Sequence, residues 1–403
     1  MTEIKKNSLE ILKKTNSDRW ENIRQIFNPV TGEGSIGERS EFILSDFTIK
    51  KQYIPVEMLD VPLVQQLQSC GSIRKFFNYR KKRNPQKYRG IVYTTEEKNK
   101  ILKQLNRVRI KYDFPYWAYL YAMILPKSGG DDIHFLMNRQ QRRLIAQYES
   151  QRKMGKPIRL ILAKSRQWGG STATEMYIGW LQLVIKPGIN SIIVGHEGQS
   201  STEVENMYEK MIQSYPVSLL YENASDCSGN EKKWISVGNT GHIHKIPQRN
   251  CMIKTGTAER PNSARGGNSL LVHLTEVAYF KRTEGKKPED IARSACAGAS
   301  PNNPLTMIVY ESSPNGSGNF FQKEYAAAKA GKSSFAAMFV PWWDIESYTL
   351  SFKSNDERDN FAIWLYQNRN NANVPDERHE SGQYLWYIWT LGATLEHINW
   401  YII

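Results

Sequence analysis

Lys164-Ser165-Arg166-Gln167-Trp168-Gly169-Gly170-Ser171-Thr172, directly after the apolar run 158–163, is the stretch on which the fold turns. A buried strand runs into a short glycine-bearing loop, and the helix-prone segment 173–184 follows. Such a loop suits the phosphates of a nucleotide. Its backbone N–H groups and the first helical turn face the anion, and the helix dipole favours negative charge there. The hydroxyl of Ser171 or Thr172 can hold the magnesium ion that accompanies the nucleotide. Set on the pattern G-x-x-x-x-G-K-[ST], Lys164 takes the first glycine position and Gly170 takes the lysine position. The positive charge has moved to the front of the loop, in Lys164 with Arg166 beside it. By itself the stretch fits an ordinary strand-to-helix turn as well, and the segments around it decide.

At 403 residues the chain can bury a sizeable core and is too long for one small domain. One α/β domain of roughly 200–250 residues with appended segments fits the usual sizes. No run of about 18 apolar residues occurs, so no membrane span is expected. The charged start MTEIKKNSLEILKK lacks the apolar centre of a secretory signal. Cys70, Cys227, Cys251 and Cys296 are scattered, which argues against a disulfide framework or a zinc site and for a reducing cytoplasm.

The net charge of +14 points to a polyanionic partner. Basic residues thicken around Arg74-Lys75-Phe76-Phe77-Asn78-Tyr79-Arg80-Lys81-Lys82-Arg83, with aromatic side chains between the cations. That pattern suits contact with a phosphate backbone and bases, and equally a solvated surface helix. Nucleic acid is favoured over membrane, because no strongly amphipathic basic helix with a lipid-facing side stands out.

Residues 1–130 mix short helical patterns with Gly- and Pro-bearing turns. Within them Gly32-Glu33-Gly34-Ser35-Ile36-Gly37 spells G-x-G-x-x-G, but it follows the turn Asn28-Pro29 rather than a strand, so it reads as a flexible loop and not a dinucleotide site. From 131 the pattern changes. A helix led by Asn138-Arg139-Gln140-Gln141 runs to about Arg152, then come the strand and loop above. Further strands are expected at 191–194, 242–246, 251–254, 270–274, 304–310 and 335–340, and helices at 198–211, 289–296 and 320–329. Alternating apolar strands and helices predict an α/β fold with a mostly parallel sheet covered on both faces. Residues 341–403 are aromatic-rich, with helices expected at 355–367 and 383–391.

Ser269-Leu270-Leu271-Val272-His273-Leu274-Thr275-Glu276 is an apolar strand ending in a carboxylate. A Glu at that end can orient and polarise an attacking water near a γ-phosphate. Thr275 stands where an Asp would help hold magnesium; its hydroxyl can bind a metal-held water but brings no charge. The next apolar strand runs into Glu311-Ser312-Ser313-Pro314-Asn315-Gly316, whose small polar side chains lie where an α/β sheet binds ligands. The same segment reads equally well as a Pro-Asn-Gly turn.

Taken in order and spacing, these segments resemble the ATPase domain of phage terminase large subunits, the motors that drive DNA into procapsids. The resemblance rests on Phe135-Leu136-Met137-Asn138-Arg139-Gln140-Gln141, on the loop 164–172, on Ser263-Ala264-Arg265-Gly266 running on to 271–276, and on Ser312-Ser313-Pro314-Asn315-Gly316. The Thr-Glu pair in place of Asp-Glu is similar to one branch of that family. The resemblance implies a phosphate-loop ATPase of the RecA-like class, using ATP with magnesium. It implies double-stranded DNA, a portal protein and a terminase small subunit as partners, a homo-oligomeric ring during packaging, and the host cytoplasm as location. Lys164, Ser165, Arg166, Gln167, Trp168, Gly169, Gly170, Ser171 and Thr172 would then bind the nucleotide, with Lys164 and Arg166 acting on its phosphates. Gln141 would read adenine and Glu276 activate water. Ser171 and Thr275 would serve the metal, and Ser312, Ser313 and Asn315 would couple hydrolysis to translocation. Arg265 would act at the nucleotide or across a subunit interface.

The expected division is a mostly helical basic region at 1–130, the ATPase domain at 131–342 and a short helical linker at 343–403. Terminases normally continue into a nuclease domain that binds two metals through clustered carboxylates. After Glu324 the acidic residues, Asp376 and Glu377 among them, fall on helix-like or loop segments. Only about 65 residues follow 340, too few for a domain of the usual size, so a large subunit without its nuclease is expected. Two other readings compete. A helicase-type ATPase would need a second RecA-like domain, and a nucleotide- or DNA-binding remnant would bind without turnover.

Overall fold

The computed structural model describes residues 3–126, 129–221, 227–238, 241–265, 267–375 and 378–403. Asp376, Glu377 and Gly266 lie outside the described residues. Two antiparallel pairs come first: β1 (Arg39–Ile43) with β2 (Lys51–Pro55), and β3 (Met123–Ile124) with β4 (Ile133–His134). The central sheet follows, built from β5 (Ile158–Lys164), β6 (Asn190–Gly195), β7 (Ile235–Ser236), β8 (Ile243–Ile246), β9 (Cys251–Thr257), β10 (Ser269–Thr275), β11 (Met307–Ser312) and β12 (Ala336–Val340). Among the described residues its order is β12-β5-β11-β10-β6-β9-β8-β7. Pairing is parallel from β5 through β11, β10 and β6 to β9, and antiparallel from β9 through β8 to β7.

This is a mostly parallel α/β sheet, as the alternation predicts, with an antiparallel edge. β5, β6, β10 and β11 are buried at nearly every position, which requires cover on both faces. On one face Ile161, Ile192, Val272, Leu274 and Ile308 pack with Ile291 and Ala295 of the helix Pro288–Ala295 and Phe321 of the helix Phe320–Lys329. The strand that runs into the loop 164–170 is separated from the strand ending at Thr275 by β11 alone. This order is that of an open, mostly parallel α/β sheet, with ligand space outside the carboxyl ends of the strands.

The helix predicted at 173–184 begins three residues earlier, as Gly170–Trp180, and ends in a π-turn over Leu181–Ile185. The basic run is corrected in one respect. It forms the helix Ile73–Arg83, capped by Ser72, and Phe76 and Phe77 face inward into a core with Phe42, Ile54 and Leu67. Its cations remain on the outer side, but those two rings are structural, because a helix period of 3.6 places adjacent aromatics on the inward stripe. The G-x-G-x-x-G stretch precedes β1 and is an ordered turn rather than a flexible one. The Asn28 side chain accepts from Val30 N and Thr31 N, and a side chain at Gly32 would collide with the carbonyl of Tyr53.

The chain also divides differently from the expected three segments. It forms two compact units, one of Phe27–Ala163 with Gly169–Met338, the other of Met1–Ile26, Lys164–Trp168 and Phe339–Ile403. The residues expected to be a helical linker are therefore part of a packed unit that includes the first helix. In it Leu9 and Leu12 of Glu3–Ile23 join Phe361, Leu365, Leu385, Ile388, Leu395 and Ile398 in one core. Buried Glu396 accepts from Trp20 Nε1 at 2.6 Å and Asn16 Nδ2 at 3.1 Å, and Lys13 pairs with Asp359 at 3.0 Å. No helix among the described residues is long and apolar enough to cross a membrane.

Candidate functional site

Strand and helix periods build the site. Side chains alternate along a strand, so His273 and Thr275 of β10 share a face, as do Val309 and Glu311 of β11. Thr275 stands opposite Glu311 in the parallel register, and His273 opposite Val309. On the helix Gly170–Trp180, Ser171 and Glu175 are four residues apart and also share a face. The two sets meet. Ser171 Oγ donates to Glu311 Oε1, and Thr275 Oγ1 donates to the same oxygen at 2.9 Å. His273 Nδ1 bonds Glu175 Oε1, and its Nε2 lies 3.4 Å from Glu311 Oε1.

Glu175, His273 and Glu311 are all fully buried. Burial opposes charge on the His273 imidazole, yet the Glu175 and Glu311 carboxylates on either side raise its pKa to about 10. Burial raises that of the Glu175 carboxyl, against the pull of His273.

Glu276, at the end of β10, is half-buried and adopts φ 57, a left-handed conformation that a non-glycine residue holds only when its surroundings impose it. Its Oε2 accepts from Ser313 Oγ at 3.1 Å, Ser313 N at 3.3 Å and Ser312 Oγ at 3.4 Å. Ser312 Oγ also accepts from Ala278 N at 3.1 Å. Exposed Asn315 reaches Ala278 O at 3.4 Å. The acidic strand end and the loop after β11 are thus directly bonded.

The helix after the loop is capped by Gly169 at φ 80, and no side chain caps its first turn. That leaves the dipole end suited to phosphate oxygens. Of the two hydroxyls, Ser171 turns to Glu311, whereas Thr172 Oγ1 turns to Met207 Sδ at 3.4 Å. Gly170 is buried. Gln141, expected at adenine, is buried and engaged locally. Its Oε1 accepts from Asn138 N at 2.9 Å in a capping box, and its Nε2 donates to Gly169 O at 2.9 Å. It therefore ties the start of the helix Arg139–Lys153 to the loop.

Earlier in the loop, Lys164 and Trp168 are buried and Arg166 and Gln167 exposed, with Gln167 at φ 61. Ser165 N donates to Val340 O at 2.9 Å, and Tyr348 donates to the carbonyl of Arg166. Arg265 is exposed, and its carbonyl accepts from Lys254 Nζ at 2.7 Å.

The structure brings together Ser171, Thr275, Glu276, Ser312 and Ser313 of the residues singled out from sequence. It adds Glu175, His273 and Glu311. Their signal was present, since each is a lone ionisable residue in a run otherwise apolar enough to be buried. The set fits an ATP–magnesium pair. A free glycine-capped helix start suits phosphate, and a Ser171 hydroxyl bonded to a buried carboxylate is an oxygen donor set of the kind magnesium takes.

Comparison with solved structures returns the HK97 bacteriophage large terminase, at 12% identity, covering 63% of this chain and 51% of that one, with a TM-score of 0.44. The Thermus phage P74-26 large terminase ATPase domain is similar at 15% identity, over 54% of this chain and 84% of that one, with a TM-score of 0.31. A DEAD box protein from Methanococcus jannaschii is similar at 14% identity over 54% of each chain, with a TM-score of 0.29. The chain spans about half the length of the HK97 protein. No family model and no curated protein sequence matches it.

Proposed function

We propose that this chain hydrolyses ATP to move double-stranded DNA, as the ATPase portion of a terminase large subunit does. The observation that carries the reading is the placement of Glu276 at the carboxyl end of β10, in a left-handed conformation and bonded to Ser313. A carboxylate so held can accept a proton from an attacking water, the general-base role that phosphoryl transfer to water asks for. Gly169, Gly170, Ser171 and Thr172 offer backbone N–H groups to the phosphates, and Lys164 and Arg166 supply the positive charge that the sequence moved to the front of the loop. Bound magnesium would sit at Ser171 and offset the charge of the phosphate oxygens. Ser313 and Asn315 would sense the state of Glu276 and pass it on. The net charge of +14 and the outward cations of the helix Ile73–Arg83 support duplex DNA as the polymer moved. A portal protein, a small subunit and a ring of copies belong to the same proposal.

The test is ATP hydrolysis by the purified chain with and without linear duplex DNA, beside Glu276→Gln. Turnover that rises with DNA and vanishes in the variant supports the motor. Nucleotide binding without turnover would replace it with a binding remnant, and strand separation in place of packaging-type translocation would make it a helicase-like enzyme.

A further inference from the structure

Position 275 carries no charge, yet a carboxylate occupies the space beside it. Glu311 arrives from β11, the strand between β5 and β10, and is fully buried. The hydroxyls of Ser171 and Thr275 donate to its Oε1, and the ring Nε2 of His273 lies 3.4 Å from the same oxygen. The Ser171 hydroxyl gives its hydrogen to Glu311, so its oxygen lone pairs are left for a cation on the partly exposed side of the helix start. On its far side His273 is fixed by Oε1 of Glu175, whose Oε2 is buried with no hydrogen-bond partner among the described residues. The imidazole therefore has a fixed orientation toward Glu311.

We infer that Glu311 is the positioning carboxylate for the nucleotide's divalent cation. From the intervening strand it does what an acidic residue at 275 would do, through the Ser171 hydroxyl, with the His273–Glu175 pair as its support. The inference rests on the ATPase reading above. It deepens that reading by explaining how a Thr-Glu strand end keeps a metal site without the Asp.

The experiment measures ADP affinity of the full chain by calorimetry, once with Mg2+ and once with EDTA. Wild type binds ADP more tightly with Mg2+. Glu311→Gln keeps the EDTA affinity within about twofold and loses about tenfold to a hundredfold of the Mg2+-dependent gain, the usual cost of removing a group that orients a metal ligand. Adding Thr275→Asp to Glu311→Gln restores the gain, because a carboxylate is returned next to Ser171.

A purely structural Glu311 predicts equal losses with and without Mg2+ and no rescue, and that result overturns the inference. So does an unchanged Mg2+ dependence in Glu311→Gln. If Glu311→Gln does not fold, Glu311→Asp keeps the charge and withdraws it by one methylene; the Mg2+ gain should fall while the EDTA affinity holds, and equal losses again refute it. Wild type that binds ADP in neither condition removes the ATPase reading and this inference together. Wild type that binds equally well in both removes this inference alone.

Discussion

One carboxylate oxygen of Glu276 receives two hydrogen bonds from Ser313, from its hydroxyl at 3.1 Å and from its backbone N–H at 3.3 Å. The group proposed to activate water and the loop proposed to respond to hydrolysis are therefore one bonded unit. Ser313→Ala removes one of the two bonds and leaves the backbone donor. A hydrogen bond to a charged group contributes about 1.5–3 kcal/mol, so turnover should fall roughly tenfold to a hundredfold while ADP affinity is unchanged. Unchanged turnover in single-turnover ATPase measurements would separate Ser313 from the chemistry.

Glu276 also holds a backbone conformation suited to glycine. Glu276→Gly should raise unfolding stability by about 1 kcal/mol by relieving that strain. It should at the same time lower turnover by about 10²–10⁴, the range for loss of a general base. Denaturant unfolding and ATPase assays on the same preparation check both. A variant no more stable than wild type would mean that the side chain's bonds to Ser312 and Ser313 outweigh the strain.

Gln141 donates to the carbonyl of Gly169, and a side chain built on Gly169 would lie 2.4 Å from that amide nitrogen. Gln141→Ala should therefore weaken ATP and GTP binding alike, by about tenfold, since one loop-fixing bond of about 1 kcal/mol is lost together with its burial. A loss confined to ATP would instead assign the amide to the adenine.

Stability should depend on pH through His273. Its imidazole titrates near 6.5 when unfolded and near 10 in the folded chain, because the flanking Glu175 and Glu311 outweigh the effect of burial. Between these values the folded protein holds a proton that the unfolded chain has released. The stabilisation is complete below pH 6.5 and is lost as pH rises toward 10. The raised Glu175 carboxyl acts in the same direction, and the Ser171 and Thr275 hydroxyls facing Glu311 do not titrate in this range. His273→Gln should flatten the slope in urea unfolding measured across that window. A slope unaffected by the substitution would place the proton elsewhere.

In the unit that contains both chain ends, Glu396 accepts from Trp20 and Asn16 while nearly buried. Glu396→Ala leaves those two donors unpaired and should cost about 2 kcal/mol. Tryptophan fluorescence during urea unfolding would report it, and an unshifted midpoint would show that the first helix is held by its Leu9 and Leu12 contacts alone.

Much of the sheet was legible because its strands are buried on both faces and so spell continuous apolar runs between glycine and proline breaks. β10 and β11 were expected within a few residues of where they end, as was the helix Phe320–Lys329. Glu311, His273 and Glu175 were visible as letters but not as a cluster. Their meeting depends on β11 lying between β5 and β10 and on the Thr275–Glu311 register, and neither strand order nor register is a local property. The inward turn of Phe76 and Phe77 was missed for a related reason. A basic-aromatic run looks alike whether its rings face solvent or a core that residues such as Phe42 and Ile54 supply from elsewhere in the chain.

The sequence by itself determined the α/β class, the glycine-bearing loop ahead of a helix and the carboxylate at a strand end, because period, glycine placement and apolar runs act over a few residues at a time. Only the tertiary structure decided which hydroxyl of the loop turns to an acid, that this acid is Glu311 and not position 275, and that the first helix belongs with the last ones. Those depend on residues brought together by strand crossover and by burial of apolar faces, across separations that local patterning does not record.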